Sequence, residues 1–306
     1  MTGQRPGSAY VDGRMVPIEE ATIPITDWGF TRSDSTYDVV HVWSGSFFRL
    51  DDHLDRFQAS MAGLRMTVAE SRADIRQILI DCVVRSGLRD AYVAMICVRG
   101  RPEPGQPLHP AHAKNRFLAF VLPWVSVIPE DIQERGAHAI ISSVPRIPAA
   151  SIDPTIKNYH WGDLTRALFE AEDRGADTAV LLDENGLVTE GPGFNVFAVI
   201  DGVVTTPAHG ALQGITRRSV LELCAELDIP AEVGDITADA LREAEEIFFS
   251  TTAGGVMPVS RIDGRILAND RPGPISRRLK EAYWQRHDQG WHATPIDYGD
   301  EESSTP

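Results

Sequence analysis

The 306-residue sequence is short of cysteine, of positive charge and of long apolar runs. Its three cysteines, Cys82, Cys97 and Cys224, form no CxxC pair, so neither a disulfide framework nor a cysteine zinc site is expected. The histidines lack metal-ligand spacing, so we expect no metal site. The most apolar window, residues 117–128, is too short to cross a bilayer, and the N-terminal residues lack the apolar segment of a secretion signal. These absences predict a cytoplasmic protein.

Positive charge is scarce relative to negative charge. Lys+Arg 29 against Asp+Glu 44 gives a net charge of −15. Such a chain repels nucleic-acid phosphates and anionic membranes, so we expect neither as a partner. A hydrophobic content of 42% with 24% charged residues is ordinary for a globular protein and argues against disorder.

The chain length and the order of the predicted elements indicate two domains. We predict a small N-terminal domain over residues 1–123, a linker over 124–130 and a larger C-terminal domain over 131–306, ending in a mobile acidic tail. Turns at Asp12-Gly13 and Asp201-Gly202 favour α+β domains with mainly antiparallel sheets. Because no GxGxxG or GxxxxGK[ST] run occurs, dinucleotide and P-loop sites have no support.

Several local signals predict element ends in the first domain. One helix is expected to be capped by Asp51 or Asp52, and a second to begin at Ser71 and end at Gly87. Predicted strands over 91–99 and 116–122 flank a loop rich in proline and glycine. Long loops in compact enzymes are often lids or binding loops.

Lysine is so rare that each one can be considered separately. Lys114 lies in a polar segment and Lys280 on a predicted helix, and both are interpreted as solvated. Lys157 differs, because apolar and aromatic residues surround it in the sequence DPTIKNYHW. Desolvation there would lower the pKa of its amine and free it to act as a nucleophile or base. A lysine whose charged head reaches water at a domain edge is the alternative, and the local sequence favours neither.

Four motifs resemble, in order, those of the fold-type IV (class IV) aminotransferases, which use pyridoxal 5′-phosphate (PLP): DPTIKNYHWGDL, TEGPGFN, GITRRS and STTAGG. The group includes branched-chain and D-amino-acid aminotransferases and aminodeoxychorismate lyase. Within it, segment 27–66 is most similar to the (R)-selective amine transaminases. The resemblance runs from about Tyr10 to Trp284 and implies the two-domain α+β fold of the D-amino-acid and branched-chain aminotransferases, with PLP as cofactor.

The resemblance also implies which residues hold the cofactor. Lys157 matches the lysine that carries PLP as a Schiff base and moves the proton during transfer. Glu190 matches the carboxylate that keeps the pyridine nitrogen protonated, so that the ring can act as an electron sink. Arg56 matches an arginine that grips the phosphate. The rest of the phosphate cup would be Ile215 and Thr216 at a helix start, with Thr252 and its neighbour Thr251.

A substrate pocket follows from the same resemblance. Its lining would be Tyr37, Val39, Tyr92, Ala94, Tyr159, Trp161 and Ala253, which composition alone would assign to the core. Arg32 stands where many (R)-amine transaminases have histidine, and Arg101 is the only arginine of segment 100–105. We expect one of these two arginines to bind the substrate carboxylate. Asn195 is expected to orient the cofactor residues.

Together these features predict a PLP-dependent transaminase that moves an amino group from an (R)-amine or D-amino acid to a keto acid such as pyruvate. The alternative on the same fold is a D-amino-acid or branched-chain aminotransferase or, third, aminodeoxychorismate lyase. A catalytically silent binding protein is a different possibility, and the joint presence of Lys157, Glu190, Arg56 and Thr252 argues against it. The family also implies at least a homodimer.

Overall fold

The chain folds into two compact units, and the computed structural model describes residues 7–267 and 269–299. Unit 1 contains the described parts of Met1–Val125 and of Gly290–Pro306, together with Ile156–Tyr159. Unit 2 contains Ser126–Thr155 and the described part of His160–Gln289.

These units differ from the domains expected from the sequence. The break after Val125 falls inside the expected linker 124–130. Residues 156–159 and the segment from Gly290 onward, which the sequence placed in the domain 131–306, belong to unit 1. Both segments pair with unit 1 strands, since Asn158 bridges Thr36 and Ala293 pairs with Phe48.

The described residues form eight α-helices and sixteen strands. The helices are α1 (Trp28–Thr31), α2 (Leu50–Gly63), α3 (Arg72–Ser86), α4 (Glu130–Arg135), α5 (Gly162–Asp173), α6 (Ile215–Glu226), α7 (Ala238–Glu243) and α8 (Pro274–Asp288). The strands are β1 (Ser8–Val11), β2 (Arg14–Pro17), β3 (Ser35–Trp43), β4 (Ser46–Phe48), β5 (Ala91–Val98), β6 (Arg116–Pro123), β7 (Ala137–Ile141), β8 (Thr178–Val180), β9 (Glu190–Gly191), β10 (Phe194–Ile200), β11 (Val203–Pro207), β12 (Ala231–Gly234), β13 (Glu246–Thr251), β14 (Gly255–Ile262), β15 (Arg265–Ile266) and β16 (Ala293–Pro295). No described helix combines the length and the apolar character that a membrane span requires.

The sheet of unit 1 is antiparallel throughout, in the order β16-β4-β3-β5-β6-β1-β2. The hairpin predicted at Asp12-Gly13 is confirmed, and both turn residues have positive φ, 50° and 77°. Two-residue hairpin turns of this kind favour Asp-Gly because glycine and aspartate tolerate that conformation.

The two faces of the unit 1 sheet have different roles. Helices α2 and α3 cover one face, where Val40 and Val42 of β3 join Leu54 and Leu79 in a fully buried core. Alternation along β3 sends Tyr37 and the other odd-numbered side chains to the opposite face. That second face carries four of the residues expected to line the substrate pocket, namely Tyr37, Val39, Tyr92 and Ala94.

Helix ends in unit 1 confirm one prediction and correct another. Ser71 begins α3 with a capping box, and Gly87 ends it at φ 68°. Helix α2 is capped by neither Asp51 nor Asp52, which lie in its first turn. The chain passes directly from β4 into α2 at Arg49, whose φ is 52° and whose N–H donates to the carbonyl of His292. That tertiary bond fixes the start of the helix.

Unit 2 has a mixed sheet in the order β12-β11-β10-β13-β14-β7-β8, with β9 beside β10 and β15 beside β14. The pairs β7–β8, β7–β14 and β11–β12 are parallel. Parallel neighbours need crossover connections, which α5 supplies between β7 and β8 and α6 between β11 and β12. The expectation of mainly antiparallel pairing therefore describes unit 1 better than unit 2.

The predicted acidic tail begins within the described residues. The hydroxyl of Tyr298 donates to the carbonyl of Leu88 at 2.8 Å, and the guanidinium of Arg89 lies 3.7 Å above its ring. Tyr298 is therefore anchored in unit 1. Residues 300–306, the rest of that tail, lie outside the described residues.

Candidate active site

The backbone of Lys157 is held by the same two elements, β3 and α2, that carry other candidate residues of unit 1. The hydroxyl of Thr36 donates to its carbonyl at 2.6 Å, and the N–H of Tyr37 donates to the same oxygen at 3.4 Å. The N–H of Lys157 donates to Oγ of Ser60 on α2 at 3.3 Å. These bonds fix the origin of the lysine side chain.

The amine of Lys157 lies against an aromatic ring. Its Nζ is 4.5 Å from the centroid of Tyr37, and Tyr37 stacks on Tyr159 with 4.1 Å between centroids. Such contacts between a cation and a π face are favourable even when water is partly excluded. The aromatic surroundings inferred from the sequence are thus present, and the lowered pKa of the lysine stays a prediction.

Five of the expected substrate residues belong to one group. Tyr37, Val39 and Ala94 are buried together, and Tyr92, Ile96, Phe120 and Tyr159 pack against them. We call these seven residues the aromatic cluster. Strand register explains it, because Val39 pairs with Ala94 and Ala94 with Phe120, which puts all three on one face. Burial raises the pKa of the Tyr92 and Tyr159 hydroxyls, so both stay neutral.

The two candidate arginines for the substrate carboxylate lie outside the aromatic cluster. Arg32 ends α1, is exposed, and lies with its guanidinium 3.7 Å above the ring of Trp28. Arg101 is exposed in the loop after β5, where its carbonyl accepts from the N–H of Lys114.

Arg56 is fixed by a buried carboxylate that the sequence interpretation missed. Its Nε and Nη2 donate to Oδ2 and Oδ1 of Asp38 at 2.7 and 2.8 Å. Asp38 is fully buried on β3, and Nδ1 of His53 lies 2.8 Å from its Oδ1. These three residues form the Arg56 cluster. His53 was interpreted as a loop or core histidine, and it is in the core.

Charge in the Arg56 cluster follows from burial and pairing. Burial alone would raise the pKa of the Asp38 carboxyl, but the charge of Arg56 and bonds from Arg56 and His53 outweigh it and hold the pKa far below its usual range. Burial lowers the pKa of His53 more than Asp38 raises it. The cluster is therefore a carboxylate, a guanidinium and a neutral imidazole. The sequence did hold one signal for Asp38. Its register on β3 places it on the core-facing side with Val40 and Val42, where a charged residue is unexpected.

Glu190 lies in unit 2, also beside an arginine that the sequence interpretation missed. Its Oε1 accepts from Nε and Nη2 of Arg146 at 3.2 and 3.0 Å, and its Oε2 accepts from the N–H of Leu212 at 3.1 Å. Nη1 of Arg146 donates to Oδ2 of Asp163 at 2.5 Å. Burial alone would lower the pKa of the Arg146 guanidinium, but the charges of Glu190 and Asp163 and their hydrogen bonds outweigh burial and raise that pKa. Glu190, Arg146 and Asp163 form the Glu190 cluster.

The expected phosphate cup begins at the first turn of α6. Gly214 precedes Ile215 and Thr216, and no side chain caps this helix end. A Cβ on Gly214 would lie 2.0 Å from Oδ1 of Asn195, so only glycine fits. Nδ2 of Asn195 also donates to the carbonyl of Leu212 at 2.8 Å. Asn195 therefore shapes the approach to α6, and the helix start offers backbone N–H groups suited to a phosphate.

The remaining candidates in unit 2 lie at element ends. Thr251 ends β13, and Thr252 and Ala253 form the turn into β14. The carbonyl of Ala253 accepts from the N–H of Val127 at 2.8 Å, which anchors that turn. Trp161 is half-buried at the N-cap of α5 and packs against the group that contains Leu164.

One further lysine prediction needs correction. Lys114 is exposed, as expected. Lys280 is not a solvated group, because its Nζ donates to Oε1 of Gln133 at 2.9 Å and burial lowers its pKa. The sequence signal failed because the partner of Lys280, Gln133 of α4, is 147 residues away along the chain, and local polarity does not reveal it. Within residues 7–267 and 269–299, no group of three or more histidine, cysteine or acidic side chains could hold a metal ion.

Comparison with known proteins adds to this geometry. The family model described as amino-transferase class IV matches residues 35–262. A putative branched-chain-amino-acid aminotransferase of Methanocaldococcus jannaschii is 31% identical over 277 residues, covering 90% of this chain and 94% of the relative. A D-alanine aminotransferase of Bacillus licheniformis is 29% identical over 273 residues, covering 89% and 94%.

Solved structures are similar over nearly the whole chain. The branched-chain amino acid aminotransferase of Thermobaculum terrenum in its PLP form gives a TM-score of 0.84 at 28% identity, covering 96% of this chain and 99% of that one. The branched-chain aminotransferase of Thermoproteus uzoniensis with norvaline gives a TM-score of 0.85 at 28% identity, covering 94% and 99%.

Proposed function

Because this chain belongs to the class IV aminotransferases, we propose that it moves an amino group between an amino acid with an apolar side chain and a 2-keto acid. Its fold is that of the fold-type IV enzymes and its cofactor is PLP. The observation that carries the substrate proposal is the aromatic cluster in unit 1, with Nζ of Lys157 against the ring of Tyr37.

Lys157 would hold the cofactor and move the proton. When bound, PLP supplies an electron sink that makes the amino-bearing carbon acidic. Nζ of Lys157, once released by the incoming amine, would take the proton from that carbon and return it to the cofactor side. The bonds from Thr36 and Ser60 to the lysine backbone limit how far this amine can move.

Glu190 would pair with the pyridine nitrogen as a carboxylate. Arg146 places a positive charge beside it, with its Nη2 3.0 Å from Oε1 of Glu190. A carboxylate oxygen can accept more than one hydrogen bond, so Oε2 can still receive a pyridinium N–H while Leu212 donates to it. Arg56 and the first turn of α6, with Thr216, Thr251 and Thr252, would hold the phosphate.

The cluster and the relatives together support an apolar donor. An apolar side chain buried against Val39, Ala94 and Phe120 leaves water without leaving a charge unpaired. The relatives and structures named above include branched-chain aminotransferases, which favours branched-chain amino acids over the (R)-amine expected from the sequence.

A second candidate is a donor without a carboxylate, such as an (R)-amine, or a D-amino acid. Within the described part of unit 1, Arg32 and Arg101 both lie outside the aromatic cluster and are exposed, so neither of these guanidinium groups is placed there to bind a carboxylate. A site of this composition would accept an apolar group in place of a carboxylate. The D-alanine aminotransferase relative supports the D-amino-acid form of this candidate.

A donor panel tests both candidates. The purified holoenzyme is mixed with each enantiomer of leucine, alanine and an arylalkylamine, and conversion of the bound cofactor is followed by its visible absorbance. Fastest conversion by L-leucine supports the first proposal. Fastest conversion by the (R)-amine or by D-alanine supports the second, and no conversion by any donor contradicts both.

We further propose that the active protein is at least a homodimer. Ile25, Phe30 and Leu108 in unit 1 are large apolar residues with 78%, 65% and 72% of their surface exposed. Exposed apolar residues mark a protein interface where they lie together in one patch, and the dimer expected from the family resemblance would bring such a patch into contact with a second copy. Sedimentation of the active enzyme as a monomer would contradict the proposal.

A further inference from the structure

Asp38 occupies a position where stability alone does not call for a carboxylate. On the same face of β3, Val40 and Val42 are fully buried apolar residues, and Asp38 is equally buried. Removing a carboxylate from water is costly, and replacing a buried ion pair with apolar side chains is often neutral or stabilising. A role beyond stability would account for this residue.

The geometry of the pair suggests what that role is. Asp38 receives two parallel bonds from Nε and Nη2 of Arg56, at 2.7 and 2.8 Å. Two parallel bonds fix the plane of a guanidinium as well as its place. An arginine side chain otherwise loses considerable rotamer freedom when it orders around a ligand.

Asp38 is itself held in place. His53 lies one turn before Arg56 on α2, and its Nδ1 is 2.8 Å from Oδ1 of Asp38. The N–H of Val39 donates to the same oxygen at 2.7 Å. Among the described residues, Nε2 of His53 is buried without a hydrogen-bond partner. The hydrogen bond that this imidazole makes in the described structure is thus the one to Asp38.

We propose that Asp38 and His53 are positioning residues for the cofactor phosphate: Asp38 orients Arg56, and His53 orients Asp38. The proposal rests on the proposed function, in which Arg56 binds that phosphate. It also fits the placement of Lys157, whose backbone is bonded to Thr36 on β3 and Ser60 on α2. The phosphate ligand and the lysine therefore share one scaffold, which β3 and α2 form.

The test measures directly how much the phosphate group contributes to the affinity for the cofactor. The full chain, stripped of cofactor, is titrated with PLP and with pyridoxal, which lacks the phosphate, and the ratio of the two affinities is compared among variants. In Asp38→Asn the guanidinium loses its charged partner, and we expect the ratio to fall by about 10- to 100-fold. The affinity for pyridoxal should stay near that of the wild type.

Two variants of His53 keep the test decisive if Asp38→Asn does not fold. His53→Leu removes the donor to Asp38, and we expect the affinity ratio to fall by about 3- to 10-fold. His53→Asn keeps an N–H donor near the position of Nδ1 and should restore the ratio. Rescue by the conservative variant separates positioning from simple packing.

Asp34→Asn is the matched control. Asp34 accepts the same two-bond pairing from Nε and Nη2 of Arg99, at 2.9 and 3.0 Å, within unit 1. Asp34 is not one of the residues proposed to hold the cofactor, so its substitution should leave the ratio of PLP to pyridoxal affinity unchanged.

The possible outcomes distinguish a failure of the proposed function from a failure of the positioning proposal. A wild-type protein that binds no PLP would contradict the proposed function. A large wild-type ratio that survives both Asp38→Asn and His53→Leu would overturn the positioning proposal alone. So would equal losses of PLP and pyridoxal affinity, which would indicate a general structural role.

Discussion

The Arg56 cluster of unit 1 and the Glu190 cluster of unit 2 both pair an arginine with a carboxylate, but the two residues exchange roles between the clusters. In unit 1 the candidate cofactor ligand is the arginine, and a buried carboxylate orients it. In unit 2 the candidate ligand is the carboxylate, and a half-buried arginine orients it while also pairing with Asp163. A pyridine nitrogen needs an anion and a phosphate needs a cation, so each cluster offers the charge that its target requires.

The two clusters also differ in net charge. The Arg56 cluster balances one guanidinium against one carboxylate with a neutral imidazole. The Glu190 cluster places two carboxylates around one guanidinium, so it carries net negative charge. Added negative charge suits stabilisation of a pyridinium cation, whereas a balanced cluster acts on the phosphate mainly through geometry.

Lys157 would carry the cofactor that both clusters are proposed to bind, so its loss should have the largest effect. In Lys157→Ala we expect turnover below detection and no visible absorbance of covalently held cofactor, with the far-ultraviolet circular dichroism unchanged. The backbone bonds from Thr36 and Ser60 do not need the side chain, so the fold should persist. Lys114→Ala, at an exposed lysine, is the control. Wild-type turnover in Lys157→Ala would contradict the assignment.

Removing charge from the Glu190 cluster should lower the rate strongly. Glu190→Gln keeps the shape but not the charge, so the electron sink weakens, and we expect a rate loss of about 10²-fold, about 3 kcal/mol of barrier. Measuring kcat for the preferred donor tests this. Glu184→Gln, at an exposed turn glutamate nearby in sequence, should leave kcat unchanged. An unaffected rate in Glu190→Gln would assign the role to another carboxylate.

Replacing Arg32 or Arg101 should weaken binding of the keto acid and should leave the Arg56 and Glu190 clusters intact. If one of them binds the substrate carboxylate, its change to alanine should raise the KM of the keto acid by about 10-fold, the worth of one charged hydrogen bond. The KM of an amine donor should stay near wild type, since that donor has no carboxylate. Unchanged keto-acid KM in both variants would remove both arginines from the substrate site.

The smallest expected effect is on stability below neutral pH. Because burial lowers the folded-state pKa of His53, the unfolded chain binds more protons between that pKa and about 6.5. The free energy of unfolding should therefore fall as pH drops through that window, by at most about 1.4 kcal/mol per pH unit for this group. The Glu190 cluster contains no histidine.

Urea titrations at about pH 7.5 and pH 5.5 check this in the wild type and in His53→Asn. The variant keeps a donor to Asp38 but has no imidazole, so its stability should decline less between the two conditions. His138, whose pKa burial also lowers, is present in both proteins and cancels from the comparison. Equal declines would contradict the assignment.

Local signals predicted the elements whose ends are set by the chain itself. The Asp12-Gly13 turn and the Ser71 cap were correct because each depends on residues within four positions. The start of α2 and the state of Lys280 were wrong because each depends on a distant partner, the carbonyl of His292 and the amide of Gln133. The parallel pairs of unit 2 were missed for the same reason, since crossover order is not visible in one segment.

The sequence by itself determined the family and the cofactor, and it predicted Lys157 as the reacting lysine, because the chemistry expected of the site is written in short motifs around Lys157, Glu190, Thr216 and Thr252. Only the tertiary structure identified the charged partners of Arg56 and Glu190. Asp38 and Arg56 are 18 residues apart, and Arg146 and Glu190 are 44 apart. Such pairs form where strand register and helix packing bring buried charges together, because a charge removed from water must find its partner wherever the fold places one.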